Sequence, residues 1–98
     1  MAGAVISGRI ATDDPAGTTA RTARHFAHKV EVETDGDVRR VHIPAGTFEL
    51  EPAQGEVLIR LFPADESSLP RLREVVTVHV ERFERSGGAV EWSHRGFE

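Results

Sequence analysis

Apolar residues recur at every second position through the middle of this chain, and that period restricts the folds open to it more than any other feature. Val30-Glu31-Val32-Glu33 alternates apolar and polar side chains, Asp35-Gly36 is a turn dipeptide, and Val38 to Ile43 resumes the strand pattern. The two runs read as a β-hairpin. Its register places Val41 and Ile43 on one face and Arg40 and His42 on the other. Pro44-Ala45-Gly46 interrupts the run, Thr47 to Glu51 restarts it with Phe48 and Leu50 inward, and Glu56 to Phe62 aligns Val57, Ile59 and Leu61. Strands so close in sequence, joined by tight turns, predict an antiparallel meander.

The flanks carry helical signals. Ala4 to Ala11 is a short β-prone run, and Thr12-Asp13-Asp14-Pro15 offers an acidic cap followed by an early proline, so a helix is predicted to start near Asp14 and run from Ala16 to about His28. Thr18, Thr19 and Thr22 lower its propensity, while Ala16, Ala20, Ala23 and Ala27 form a small-residue stripe beside Phe26. After Pro63-Ala64-Asp65, with Asp65, Ser67 or Ser68 as cap, Leu69, Leu72, Val76, Val80 and Phe83 recur at helical spacing, with Pro70 in the first turn. Gly87-Gly88 ends that helix, and Ala89 to Ser93 supplies a last strand with Val90 and Trp92. The expected fold is α+β in the order β-α-β-β-β-β-α-β, an antiparallel sheet with two helices packed on one face.

A length of 98 residues accommodates one core, so residues 1–98 are taken as a single domain. With one Trp, five Phe and no Tyr, the core must be mainly aliphatic, with Trp92 as its expected anchor. The net charge of −4 argues against nucleic acid as a partner, which would require clustered Lys and Arg. No apolar run reaches the roughly 18 to 20 residues that span a bilayer. The expected location is the cytoplasm, away from membranes. The absence of cysteine excludes disulfides, thiolate metal sites and cysteine catalysis.

Phosphate-loop, zinc-protease and nucleophile-elbow signatures are absent. The carboxylate pairs Asp13-Asp14 and Glu49/Glu51 suit capping and solvation better than catalysis. Histidine is the more informative residue type. His25 and His28 lie near the end of the first helix, and His79 falls at the edge of the second helix's apolar stripe. Neutral imidazoles ligate zinc, iron, nickel and haem iron, so His25, His28 and His79 are candidate ligands of a transition metal or haem. The structural alternative is that His79 hydrogen-bonds a buried carbonyl while His25, His28 and Lys29 complement a helix C-terminus. Arg82 is a candidate anion clamp or the partner of a carboxylate such as Glu81 of a neighbouring molecule or Glu31 of its own sheet. His42 and His94 are expected at the surface without a role.

The ordered combination His25-Phe26-Ala27-His28-Lys29, Gly46 with Phe48-Glu49-Leu50, His79-Val80-Glu81-Arg82-Phe83 and Val90-Glu91-Trp92 resembles the bacterial family called domain of unknown function 2218. The resemblance runs from about Thr18 to Ser93. The chain departs from the pattern before His25, where Ala and Thr stand in place of larger apolar residues. The family has no established activity. The resemblance implies a small bacterial protein, an association with siderophore-interacting or iron-uptake proteins, and His25, His28, Lys29, His79 and Arg82 as the residues of interest.

Three readings follow. The first is a non-enzymatic accessory or binding protein in iron or siderophore handling, with Lys29 and Arg82 as ligand contacts in a cleft between the helices. The second is an interaction or dimerisation module with structural histidines, in which a homodimer covers an open sheet face bearing His42, Thr47, Glu49 and Arg60 beside Leu58 and Phe62. The third is an enzyme with His79 as general base and Arg82 holding an anionic substrate.

Overall fold

The computed structural model describes residues 6–93, so residues 4 and 5 of the first expected strand and His94 lie outside the described residues. The chain runs β1 (Ile6–Ala11), α1 (Pro15–Ala27), β2 (Val32–Asp35), β3 (Val38–Ile43), β4 (Gly46–Ala53), β5 (Glu56–Pro63), a 3-10 turn (Glu66–Ser68), α2 (Leu69–Phe83) and β6 (Val90–Trp92). This is the expected α+β order. The strands form one sheet in the order β2-β3-β4-β5-β1-β6, and every neighbouring pair is antiparallel.

Period two settles which side of the meander is inside. Val41 pairs with Phe48 and Phe48 with Leu61, while Leu50 pairs with Ile59, and all are buried beneath the helices. Ile6, Ile10 and Val57 extend this apolar face, and Leu72, Val76 and Val80 of α2 close over it. Burying side chains of this size contributes about 1.5–3 kcal/mol each before chain entropy is charged against it. Gly46 allows β3 to turn into β4 with φ +145°, and a Cβ there would lie 2.8 Å from Pro63 Cα.

Asp14 caps α1 by accepting from Gly17 N at 3.0 Å, as its position before Pro15 predicts. The buried face of α1 differs from expectation. Thr18, Thr19, Thr22, Ala23 and Phe26 face inward, whereas Ala16 and Ala27 are exposed. Buried threonines are tolerated because local acceptors satisfy most of their hydroxyls: Thr22 Oγ1 donates to Thr18 O at 2.8 Å, and the hydroxyls of Thr12 and Thr18 lie 3.3 Å apart. Thr19 Oγ1 has no such partner among the described residues. At α2, Asp65 caps the preceding 3-10 turn through Ser68 N, while Ser68 makes no side-chain cap.

Phe48 holds the centre of the core, and Trp92 sits half-buried at the rim. The Trp92 ring packs over Gly8, where a Cβ would lie 2.7 Å from Cζ3, and its Nε1 donates to Thr77 Oγ1 at 2.9 Å. The indole therefore fastens β6 and β1 to α2, since a ring with an N–H must settle where an acceptor is within reach.

The opposite face of the sheet is zipped by charge. Arg40 Nε and Arg60 Nε donate to the two oxygens of Glu49 at 2.8 and 2.9 Å, Arg60 Nη2 reaches Glu51 at 2.7 Å, and Arg40 Nη1 reaches Glu33 at 3.1 Å. His42 joins this ladder, with Nδ1 2.9 Å from Thr47 Oγ1 and Nε2 3.4 Å from Glu33. Leu58 and Phe62 lie among these groups, Phe62 being 36% exposed. The chain thus supplies polar cover for this face from its own side chains.

Candidate functional site

The last turns of α1 and the second half of α2 lie side by side over the sheet, and a column of rings fills the joint between them. Starting at the core, Phe48 meets Phe26 at a centroid separation of 5.3 Å, Phe26 meets His79 at 4.7 Å, His79 meets His25 at 5.1 Å, and His25 meets Phe83 at 5.2 Å. These are contact distances for aromatic rings. The space between the helices is therefore packed and does not form the expected cleft, and a ligand here would lie on the outer surface of His25 and Phe83. Arg21 reinforces the joint from α1, donating through Nε and Nη2 to Phe83 O at 3.2 and 3.0 Å.

His79 is half-buried, as the helical periodicity predicts. Its Nδ1 lies 2.7 Å from Val75 O. A carbonyl can only accept, so Nδ1 carries the proton and Nε2 is left with its lone pair when the ring is neutral. His25 is exposed, with its ring against His79 and Phe83. Desolvation, followed by the influence of His79, Arg82, His28 and Lys29, holds its pKa below the ordinary 6.5. His28 is exposed and lies outside the ring column, acting on His25 through charge. Among the described residues, no group of three or more His, Cys, Asp or Glu side chains is arranged to hold a metal ion.

Lys29 and Arg82 are exposed at this same corner. The Arg82 guanidinium lies 5.7 Å from the Phe83 ring centroid and makes no ion pair among the described residues, with Glu31 or any other carboxylate. The patch thus presents imidazole, ammonium and guanidinium groups around an aromatic surface. Chemically it can accept a carboxylate or phosphate from solvent, and each contact would be charge-assisted.

Sequence reasoning missed a second constellation, where the exit of α2 meets the start of α1. Glu84, just past α2, is 5% exposed, and its carboxylate accepts from Ser86 N at 2.9 Å, from Ser86 Oγ and from Gly88 N at 2.6 Å. Hydrogen bonds from Ser86 and Thr12 hold its pKa down to about 2 despite burial. The signal was present as Glu84-x-Ser86-Gly87-Gly88: a carboxylate followed by a hydroxyl and two unhindered amides is suited to folding back on itself. Two shallow concavities, of about 210 and 370 Å³, share Thr12, Asp13 and Ser86 around this corner.

The family comparison bears out the resemblance. Residues 7–93 match the family described as an uncharacterised protein conserved in bacteria, domain of unknown function 2218. The chain belongs to that family. A solved structure of similar fold, the NMR structure of PA4090 from Pseudomonas aeruginosa, is 26% identical, with a TM-score of 0.74 over 94% of this chain and 97% of that one. No curated protein matches the chain. No described helix is long and apolar enough to cross a membrane. In this member of a bacterial family of unknown function, the ring column joins the His25-Phe26 and His79 segments in one stack.

Proposed function

We propose that this protein is a small accessory binding protein that receives the carboxylate groups of a ligand on the patch formed by His25, His28, Lys29 and Arg82. One observation carries the reading. The chain is acidic overall and its sheet-face arginines are occupied by glutamates, yet the cations at this corner have no ion-pair partner among the described residues. An imidazole whose protonation is opposed by desolvation and by neighbouring cations gains from an arriving anion, so carboxylate binding should raise the His25 pKa. Carboxylate siderophores, and haem through its two propionates, fit this chemistry. Were haem bound here, His25 and His79 would be the imidazoles available to hold its iron. A siderophore-interacting or iron-uptake protein would then be the partner, and the link to iron comes from the family resemblance alone.

The contacts of His79 favour the alternative for that residue, a structural histidine in an interaction module, because its Nδ1 is committed to Val75 O and its ring packs on Phe26. NMR titration of the histidine resonances separates the readings, with citrate and hemin as probes and Lys29→Ala/Arg82→Ala as the control variant. The binding reading expects citrate to raise the His25 pKa saturably in the wild type and much less in the variant. An unmoved His25 titration with both probes overturns it.

A further inference from the structure

We propose that the free edge of β2, together with the groove between β2 and α1, is a strand-addition site for an extended segment of a partner protein. This surface is distinct from the imidazole patch and does not depend on it. The argument starts from the register of the β2–β3 hairpin. His42 N donates to Glu31 O at 3.2 Å, and Glu33 faces Arg40 while Asp35 faces Val38. In an antiparallel ladder, pairs that exchange hydrogen bonds alternate with pairs that do not. Residues 31, 33 and 35 therefore spend their backbone groups on β3, and Val32 and Thr34 turn theirs outward. β2 ends the sheet, so those N–H and C=O groups are open to another strand.

The two edges of the sheet are treated differently. At the β6 edge, Ser93 N donates to Ser7 O at 2.8 Å, which by the same alternation turns the Val90 amide outward; there Glu81 Oε2 accepts it at 2.8 Å. A carboxylate from α2 thus occupies that edge. At β2 no described side chain does the equivalent, and the strand has neither a proline nor a bulge to deter pairing.

Charge fixes the kind of strand that fits. Beside the β2 edge, on the helix side, lies a groove of about 320 Å³ whose walls include Ala23 and Ala27 of α1 and Val32 and Thr34 of β2. Arg24 and Arg39 also line it, and neither is ion-paired among the described residues, although Arg39 Nη1 donates to Gly36 O at 3.2 Å. On the opposite face the same strand presents Glu33 and Asp35. An added strand alternates its side chains between these two faces. The complementary occupant carries an acidic residue among small apolar ones on the groove side and basic residues on the other. A second copy of β2 is a poor occupant, because a two-fold pairing would set arginines near arginines on one face and carboxylates near carboxylates on the other.

The test uses the blocked heptapeptide Lys-Val-Lys-Asp-Lys-Val-Lys, whose alternate residues match the two faces, and its permuted isomer Lys-Lys-Val-Asp-Val-Lys-Lys. Amide hydrogen exchange on the full chain is the readout. The alternating peptide should slow exchange at Val32 and Thr34 saturably, by about tenfold or more, and the isomer should not. Arg24→Glu/Arg39→Glu should weaken binding about tenfold. Thr34→Pro removes an outward N–H without costing a β2–β3 hydrogen bond, so with the fold confirmed by circular dichroism it should abolish binding. Absence of protection at those two amides, equal protection by the isomer, wild-type binding by folded Thr34→Pro, or a dimer already burying the β2 edge would each overturn the proposal.

Discussion

Replacing Glu84 with Gln tests whether a buried carboxylate holds the exit of α2 in place. The side chain keeps its shape, but one carboxylate oxygen becomes an NH₂ facing either the Ser86 or the Gly88 amide, each of which is also a donor. The ordinary carboxyl pKa of 4.5 and the folded value of about 2 set the size of the effect. Taken in full, the shift corresponds to about 3 kcal/mol. The carboxylate lines a shallow concavity open to solvent, so water screens part of the interaction and we expect about 2 kcal/mol at pH 7. For a domain of this size that lowers Tm by about 10 °C. The sign follows from the depressed pKa: the stabilisation is complete above pH 4.5, declines as pH falls, and is gone near pH 2, where the native carboxyl also carries a proton. Urea unfolding of wild type and Glu84→Gln at stepped pH should show two stabilities converging in acid. A difference under about 0.5 kcal/mol at pH 7, or one unchanged at low pH, would refute the account.

Three further outcomes are expected. Gly8→Ala should displace the Trp92 ring, costing about 1–3 kcal/mol and shifting tryptophan fluorescence to the red, as thermal unfolding and emission spectra would show. Burial alone would push the Glu49 carboxyl up, but hydrogen bonds from Arg60 and Arg40 outweigh it and hold the pKa below 4.5. Glu49→Gln should therefore cost about 1–2 kcal/mol by urea unfolding at pH 7, with the difference shrinking as pH drops below 4.5. His79→Ala removes the ring between Phe26 and His25 and should cost about 1–2 kcal/mol, whereas His25→Ala at the exposed end of the column should stay within about 0.5 kcal/mol. Because the His25 pKa is lowered in the fold, its protonation in acid favours the unfolded chain, and the small contribution it makes to stability should decline as pH falls below 6.5.

Much of the candidate site was legible before the fold was known. Helical spacing placed His79 at the edge of the α2 stripe, and the motif His25-Phe26-Ala27-His28-Lys29 pointed to the end of α1. Whether those imidazoles lined a cleft or filled a joint could not be read the same way, because it depends on the separation of two helices that four strands keep apart in the sequence. The ring contacts decided it. The choice between alanines and threonines on α1 failed for a related reason. Periodicity admits both stripes, and threonine hydroxyls become tolerable inside only once Thr18 O and Thr12 are in place to partner them.

The sequence by itself determined the elements, their order and the facing of the meander strands, because period-two and helical patterns, turn dipeptides and caps act over a few residues. Tertiary structure alone decided that β1 lies between β5 and β6, that Glu49 bridges two arginines, that Glu84 is buried, and that β6 is capped at its edge while β2 is not. The physical reason is range. Local patterns are written in neighbouring residues, whereas strand order, charge pairing and edge protection depend on groups brought together only when the helices cross back over the sheet.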